Sequence, residues 1–396
     1  MLSLRLLRGA SPAALGRWVL AALASCGTGL LLLAALGWAL AHPGGASHTV
    51  VRLGWCVVPA IVSVQLAVAV GRAQSTGWPR AGLTAVGLGR NGLVLLAAAT
   101  VTLVCACGSV LALLVFLQLR GDVTGVPYHG VGPGLLAAGH SLPLAGAVTL
   151  LALVPLAAGA ASAARLRTEQ RPDGRRTDGQ RPDRGRARPG GPDAGAIEPD
   201  EQVPAGLPWG VALIAVGLAL EATAPDRHTF PLPSGLGAMA PAAVGGWVLT
   251  AAGLVLAGPG LVHACGRLLA AYRPGGLRLL AGRGLQHEAR RLGRPLGLLS
   301  ATVAALVAGY GLHQDSGRSL GPVTTFAVLL ICMCVLASAA LAARESHAAR
   351  ASARAALREL AAPAAVLRAS AAVRAGVLAV AFLVPALLVA ALSPTP

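Results

Sequence analysis

Residues 92–118 read GLVLLAAATVTLVCACGSVLALLVFLQ, a mostly apolar stretch without a charged side chain. A transmembrane helix needs about 20 such residues to cross the hydrocarbon of a bilayer. Further stretches of this character occupy residues 17–41, 50–71, 142–164, 203–221, 239–258, 296–313, 321–343 and 373–393. Because lipid leaves no partner for unpaired backbone groups, the sequence predicts an all-α, polytopic membrane bundle of about nine transmembrane helices.

The composition agrees with this class. Of the 396 residues, 55% are hydrophobic and 12% charged, whereas soluble domains carry about 25% charged residues. All 32 basic residues are arginine, which excludes a Walker A lysine, a Schiff-base lysine and a Ser-Lys dyad. The chain therefore does not hydrolyse ATP through a P-loop.

The arginines are sorted between the two sides of the predicted bundle. If the amino terminus is cytoplasmic, all of the arginines except Arg52, Arg120, Arg227 and Arg318 fall in cytoplasmic segments. The positive-inside rule therefore predicts a multi-pass protein of a bacterial plasma membrane, with a cytoplasmic amino terminus and an extracytoplasmic carboxyl terminus. This sorting accounts for the net charge of +17, so no nucleic-acid partner is expected.

The first apolar stretch has two interpretations. Ala39-Leu40-Ala41 resembles a small-residue cleavage site of a signal peptide, but the stretch is longer than the 7–15 apolar residues of such a peptide. Trp18 and Trp38 are separated by about 30 Å along a helix, which suits one ring at each membrane interface. We expect an uncleaved span.

An internal repeat divides the chain. Residues 4–9, LRLLRG, recur at 277–282 as LRLLAG, and residues 83–88 align with 357–362 at nearly the same offset. This predicts two related membrane units, of which the second lacks the fourth span of the first. The predicted organisation is a first unit at 1–164, a disordered Arg/Pro/Gly/Asp-rich cytoplasmic linker at 165–206, two connecting spans at 207–258 and a second unit at 259–396.

Charged residues are missing from the middle of every predicted span, which disfavours an ion-coupled carrier. The polar residues within spans are expected to bridge neighbouring helices rather than to line a path. They are Gln65, Thr100, Thr102, Ser109 and Thr149.

No catalytic or metal-binding set is recognisable. The pairs Cys105/Cys107 and Cys332/Cys334 are two residues apart, so their side chains diverge by about 200° on a helix and cannot hold one ion together. Six histidines lie on or beside the predicted outer loops without a ligand motif; they are His42, His48, His129, His140, His228 and His313. We expect neither an enzyme nor a cofactor.

Residues 344–372 predict a basic, Ala-rich cytoplasmic helix interrupted at Pro363, which either transmits force to the bundle or anchors to anionic lipid. This stretch resembles the FtsX-like permeases, the membrane subunits of one class of ABC transporter. Leu357 to Ala362, followed by Val366-Leu367-Arg368, is similar to the family's coupling segment, and so are Arg80 and residues 83–88. The basic stretch from Gly266 to Arg294 also looks like the helix that precedes the first span of a permease unit.

The resemblance implies docking of a separate ABC ATP-binding subunit, as a dimer, on the coupling segments of both units. By the same resemblance, these segments pass ATP-driven closure to the spans. The residues expected to couple are Arg80, Leu83, Gly87, Arg90, Arg354, Leu357, Arg358, Glu359 and Arg368.

The resulting hypothesis is a non-enzymatic permease subunit that moves an amphiphilic substrate or relays a mechanical signal. Membrane lipid and an accessory extracytoplasmic protein are further expected partners. The alternative is a degenerate, non-transporting membrane scaffold or sensor partner. The short predicted outer loops depart from the family, whose members usually carry a large extracytoplasmic domain there.

Overall fold

The computed structural model describes residues 12–42, 46–75, 90–121, 142–170, 206–223, 230–231, 238–271, 275–316, 321–351, 355, 359 and 363–392. Long helices dominate these residues. They are α1 (Pro12–Ala41), α2 (Ala46–Ser75), α3 (Arg90–Arg120), α4 (Leu144–Gln170), α5 (Gly206–Ala222), α6 (Pro241–Ala271), α7 (Gly276–Ser316), α8 (Pro322–Ala349) and α9 (Ala364–Leu392). Between α5 and α6, the antiparallel strands β1 (Phe230–Pro231) and β2 (Ala238–Met239) pair.

Eight of these helices are long and apolar enough to cross a membrane. The chain is therefore an integral, multi-pass membrane protein with a helical bundle, and the predicted fold class is confirmed. Helix α5 is the exception, because its 17 residues are shorter than a full span. Helix α7 begins 20 residues before the predicted span at 296 and continues through Pro295 without a break.

Helices α1 to α4 form one group. Leu33 of α1, Ala112 and Phe116 of α3 and Leu151 of α4 make a buried cluster in which α4 fills the groove between α1 and α3. Leu33, Ala112 and Phe116 are at most 1% exposed.

Helices α6, α7 and α9 form a second group with a similar arrangement. Leu254 of α6, Ala301 of α7 and Ala386 and Val389 of α9 make a buried cluster. Helix α6 packs mainly against α5 and α7 and has a small contact with α9. Helix α6 runs through residues 258 and 259, where the predicted boundary between the connecting spans and the second unit falls.

Glycines bring α6 very close to both of its neighbours. A Cβ atom added at Gly253 would lie 2.7 Å from the backbone oxygen of Gly210 in α5, and one added at Gly266 would lie 2.8 Å from that of Gly282 in α7. A Cβ atom at Gly293 would overlap the backbone of Pro259. In lipid, where apolar burial does not drive helix association, such close backbone packing is a main source of stability.

Helix α8 joins the two groups. Val335 packs with Val62 and Leu66 of α2 in a buried cluster, and α8 also packs against α7. The hydroxyl of Ser63 lies 3.8 Å from the Cys334 sulfur, at hydrogen-bond distance.

Candidate functional site

The end of the bundle where α7 and α9 begin and α2 and α8 end is called here the arginine-rich end. Most of the expected coupling residues are outside the described residues; they are Arg80, Leu83, Gly87, Arg354, Leu357 and Arg358. Arg90 is the first residue of α3. Glu359 is helical and exposed, and Arg368 is exposed in the first turns of α9. The grouping of the expected coupling residues into two docking sites therefore stays a prediction.

A helical hairpin dominates the described part of this end. The last residues of α6 pack against the first residues of α7, with Gly266 close to Gly282 and Gly258 close to Gly293. Arg283, Arg290, Arg291 and Arg294 of α7 are exposed; the buried side of the same helix contributes Leu285 and Ala289 to a cluster with Val262 of α6 and Phe382 of α9.

Glu288 connects this hairpin to α8. Its side chain is 10% exposed and forms an ion pair with Arg350, which follows the last turn of α8. The Arg350 Nε atom also donates a hydrogen bond to Glu288 Oε1. The pair fixes the end of α8 to α7.

The matching connection in the first group uses no acidic residue. Arg17 of α1 donates a hydrogen bond of 3.3 Å from Nη1 to the backbone oxygen of Ala73 near the end of α2. Both pairs of helices are therefore clamped at the arginine-rich end, by an ion pair between α7 and α8 and by a hydrogen bond to a backbone oxygen between α1 and α2.

Equivalent hydrogen bonds connect the first and third helices of the two groups. Ser25 of α1 donates to the Cys105 backbone oxygen of α3 at 2.8 Å, and Ser300 of α7 donates to the Phe382 backbone oxygen of α9 at 2.9 Å. In sequence, Ser300 and Phe382 lie 275 and 277 positions after Ser25 and Cys105. These separations are close to the repeat offset of 273 between Leu4 and Leu277.

The contact between α2 and α8 also joins residues whose separation in sequence is close to the repeat offset. Ser63 and Cys334 are 271 positions apart. Since both helices run toward the arginine-rich end, a two-fold axis along the bundle would bring equivalent residues of α2 and α8 side by side.

The polar residues within the spans behave in three ways. Ser109 bridges helices as expected, because its hydroxyl lies 3.2 Å from that of Ser25 and donates to the Leu151 backbone oxygen at 3.1 Å. Gln65 is exposed on α2, so its predicted bridging role is wrong among the described residues. Thr100, Thr102 and Thr149 instead donate to backbone oxygens of their own helices, at Ala97, Ala98 and Gly146.

The cysteines and histidines form no metal centre in the described part of the chain, where no group of three or more metal-ligating side chains occurs. The cysteines are free, and the buried Cys105 and the exposed Cys107 diverge as predicted. At the opposite end of the bundle, the Trp38 ring stacks on His42 at 4.5 Å and lies 4.2 Å from the Arg52 guanidinium carbon. This cluster braces the connection between α1 and α2.

The sequence reasoning overlooked Glu288 and the glycines of α6. The glycines carry a readable signal, because Gly246, Gly253 and Gly260 recur every seven residues and therefore lie on one side of the helix. Comparisons with protein-family models, with curated proteins and with solved structures find no match.

Proposed function

We propose that this membrane protein is the permease subunit of an ABC-type complex, and that it couples ATP hydrolysis by a separate subunit to movement of an amphiphilic substrate or to a mechanical signal. The observation that carries the proposal is the duplicated helix arrangement. An ABC complex works with two ATP-binding subunits, so a membrane partner needs two equivalent sets of helices to receive them. One chain with two sets meets this requirement.

Three features support two equivalent sets. The first and third helices of each group share a serine-to-backbone hydrogen bond. In each group, one further helix, α4 or α6, joins the first and third helices in a buried cluster. The two groups meet through α2 and α8 near the register of the sequence repeat.

The clamps at the arginine-rich end suit a coupling role. In this proposal, the ATP-binding subunits dock on the segments that follow α2 and α8. The Glu288–Arg350 ion pair then passes movement of the second segment to α7, and the Arg17 contact with Ala73 does the same between α2 and α1. Rigid helices joined at their ends convert a local push into rotation of a helix pair.

The test is purification of the tagged chain in mild detergent from its native host, followed by identification of any subunit with a Walker A motif. Its ATPase rate is then measured with and without the chain in vesicles. We expect co-purification and a changed rate, and both are lost with Arg358→Ala/Glu359→Ala. The matched control, Asp315→Ala/Arg318→Ala, removes the same charges from a segment predicted on the opposite side.

Absence of an ATPase partner, under conditions in which a known permease retains its own, contradicts the proposal and favours a membrane scaffold. Equal loss in both double variants contradicts a coupling role for the segment after α8.

A further inference from the structure

The exposed arginines of α7 form a single face. At 100° per residue, Arg283, Arg290, Arg291 and Arg294 fall within an arc of about 100°, and all four are exposed. None of them makes an ion pair or hydrogen bond with another described residue. We call these four residues the basic face of α7.

Packing fixes the direction of this face. On the other side of the helix, Ala281, Leu285 and Ala289 are at most 1% exposed, and Leu285 and Ala289 pack with Phe382. The helix cannot rotate without exposing these residues, so the basic face stays directed away from the bundle.

The face lies in the first part of a long candidate span. That span covers Gly276–Gly311, 36 residues, whereas about 20 helical residues are enough to cross the hydrocarbon. Counting back from Gly311 places Arg290, Arg291 and Arg294 within about one turn of the hydrocarbon boundary. Arg283 lies roughly 16 Å further along the helix from Arg294.

Charge complementarity identifies the occupant. The only acidic residue between positions 276 and 294 is Glu288, and it is paired with Arg350 away from the basic face. Guanidinium groups bind phosphate oxygens through paired hydrogen bonds. Headgroup phosphates occupy the layer immediately outside the hydrocarbon, within about one turn of Arg290, Arg291 and Arg294.

We propose that the basic face of α7 binds the phosphate groups of anionic phospholipids in the leaflet at the arginine-rich end. The bound headgroups balance a row of positive charges that no described residue pairs. They also hold the α6–α7 hairpin at a fixed height, next to the Glu288–Arg350 clamp.

The test uses the full chain in phosphatidylcholine vesicles that contain a trace of spin-labelled phosphatidylglycerol or phosphatidylcholine. Electron paramagnetic resonance measures the fraction of each lipid immobilised by the protein. We expect the wild type to immobilise more phosphatidylglycerol than phosphatidylcholine, with a difference that shrinks as salt screens the charges. Arg290→Gln/Arg291→Gln/Arg294→Gln removes this preference, whereas the corresponding triple Lys variant keeps most of it.

The matched control is Arg267→Gln/Arg278→Gln/Arg344→Gln, which removes three exposed arginines of the same end that lie outside the basic face. It retains the preference if the face is a site. Equal loss in the control, or full retention in the Gln variant of the face, overturns the proposal. Retention together with loss of a co-purifying acidic protein assigns the face to that protein instead. Because no ATPase or nucleotide is present, the result is independent of the permease proposal.

Discussion

Helices α4 and α6 each share a buried cluster with the first and third helices of their group, but they are held there by different chemistry. In the first group, Ser109 of α3 donates to the backbone of α4, at Leu151. In the second, α6 is fixed by glycines that bring its backbone against α7, as at Gly266 and Gly282. In sequence, Ala386 and Val389 of the second cluster lie 274 and 273 positions after Ala112 and Phe116 of the first. The additional helix is thus attached through side-chain hydrogen bonds in the first group and through backbone contact in the second.

This comparison changes the interpretation of the second unit. From the order of helices along the chain, the second unit was expected to lack a fourth span. In the structure, α6 precedes α7 in sequence and shares a buried cluster with α7 and α9. Helix α6 therefore takes part of the place that α4 has in the first group, although α6 packs mainly against α5 and α7 and α4 mainly against α3.

The largest loss of stability is expected from a substitution where α6 and α7 meet. Gly293→Ala forces a Cβ atom into the backbone at Pro259, and overpacking of this kind lowers stability by about 3 kcal/mol. Gly309→Ala on the same helix is the control, because nothing lies within 4 Å of its added Cβ atom. The monodisperse fraction that survives heating in detergent measures both. A Gly293→Ala variant as stable as the Gly309→Ala variant contradicts backbone contact between α6 and α7.

Breaking the Glu288–Arg350 ion pair is expected to cause the next largest loss of stability. Glu288→Gln leaves Arg350 without its charged partner, at a site where the side chains are 10% and 22% exposed. Breaking such a partly buried pair costs about 2 kcal/mol. The matched change in the first group is Arg17→Gln, which removes one hydrogen bond to a neutral backbone oxygen and costs about 1 kcal/mol.

A double-mutant cycle with Arg350→Gln, followed by thermal unfolding, isolates the interaction between the two charges. Additive effects of Glu288→Gln and Arg350→Gln, or an Arg17→Gln variant less stable than Glu288→Gln, contradict a specifically ionic clamp in the second group.

How much of this could be predicted from the sequence differs between elements. The predicted span at 92–118 lies within α3 (Arg90–Arg120). An apolar run of that length forms a helix in lipid because a helix satisfies its own backbone hydrogen bonds. The resemblance implied a basic helix between Gly266 and Arg294 ahead of the span at 296, but not that one helix would run from Gly276 through Pro295 into that span. The Glu288–Arg350 pair joins residues 62 positions apart, and no local pattern indicates which distant helix end will meet a given carboxylate.

The polar residues show the same limit. Ser109 and Thr102 look alike in sequence, but a hydroxyl on a helix bonds either a neighbour or its own preceding turn, and packing decides which. Ser109 contacts α1 and α4, whereas Thr102 bonds Ala98 of its own helix. The coupling segments cannot be judged in this way, because most of their residues lie outside the described ones.

The serine bonds are expected to have smaller effects. Ser25→Ala removes contacts with both the Cys105 backbone and the Ser109 hydroxyl, while Ser300→Ala removes the single bond to the Phe382 backbone. Buried hydrogen bonds between membrane helices contribute about 0.6 kcal/mol on average and at most about 1.7. We therefore expect Ser25→Ala to be roughly twice as destabilising as Ser300→Ala in thermal unfolding. An inverted order contradicts side-chain bonding as the main attachment in the first group.

The smallest effect is expected at Gln65, which lies on α2 in the same group as Ser109. Gln65 is exposed and makes no hydrogen bond with the described residues, so Gln65→Leu removes no attachment within the bundle and adds apolar surface where lipid is the solvent. Thermal unfolding should change by less than about 0.5 kcal/mol, whereas Ser109→Ala, which breaks contacts to α1 and α4, should lower stability by about 1 kcal/mol. A Gln65→Leu variant that is as destabilised as Ser109→Ala would show that the amide bonds a partner at this face of α2. That partner would be an additional member of the first group, which otherwise consists of α1 to α4.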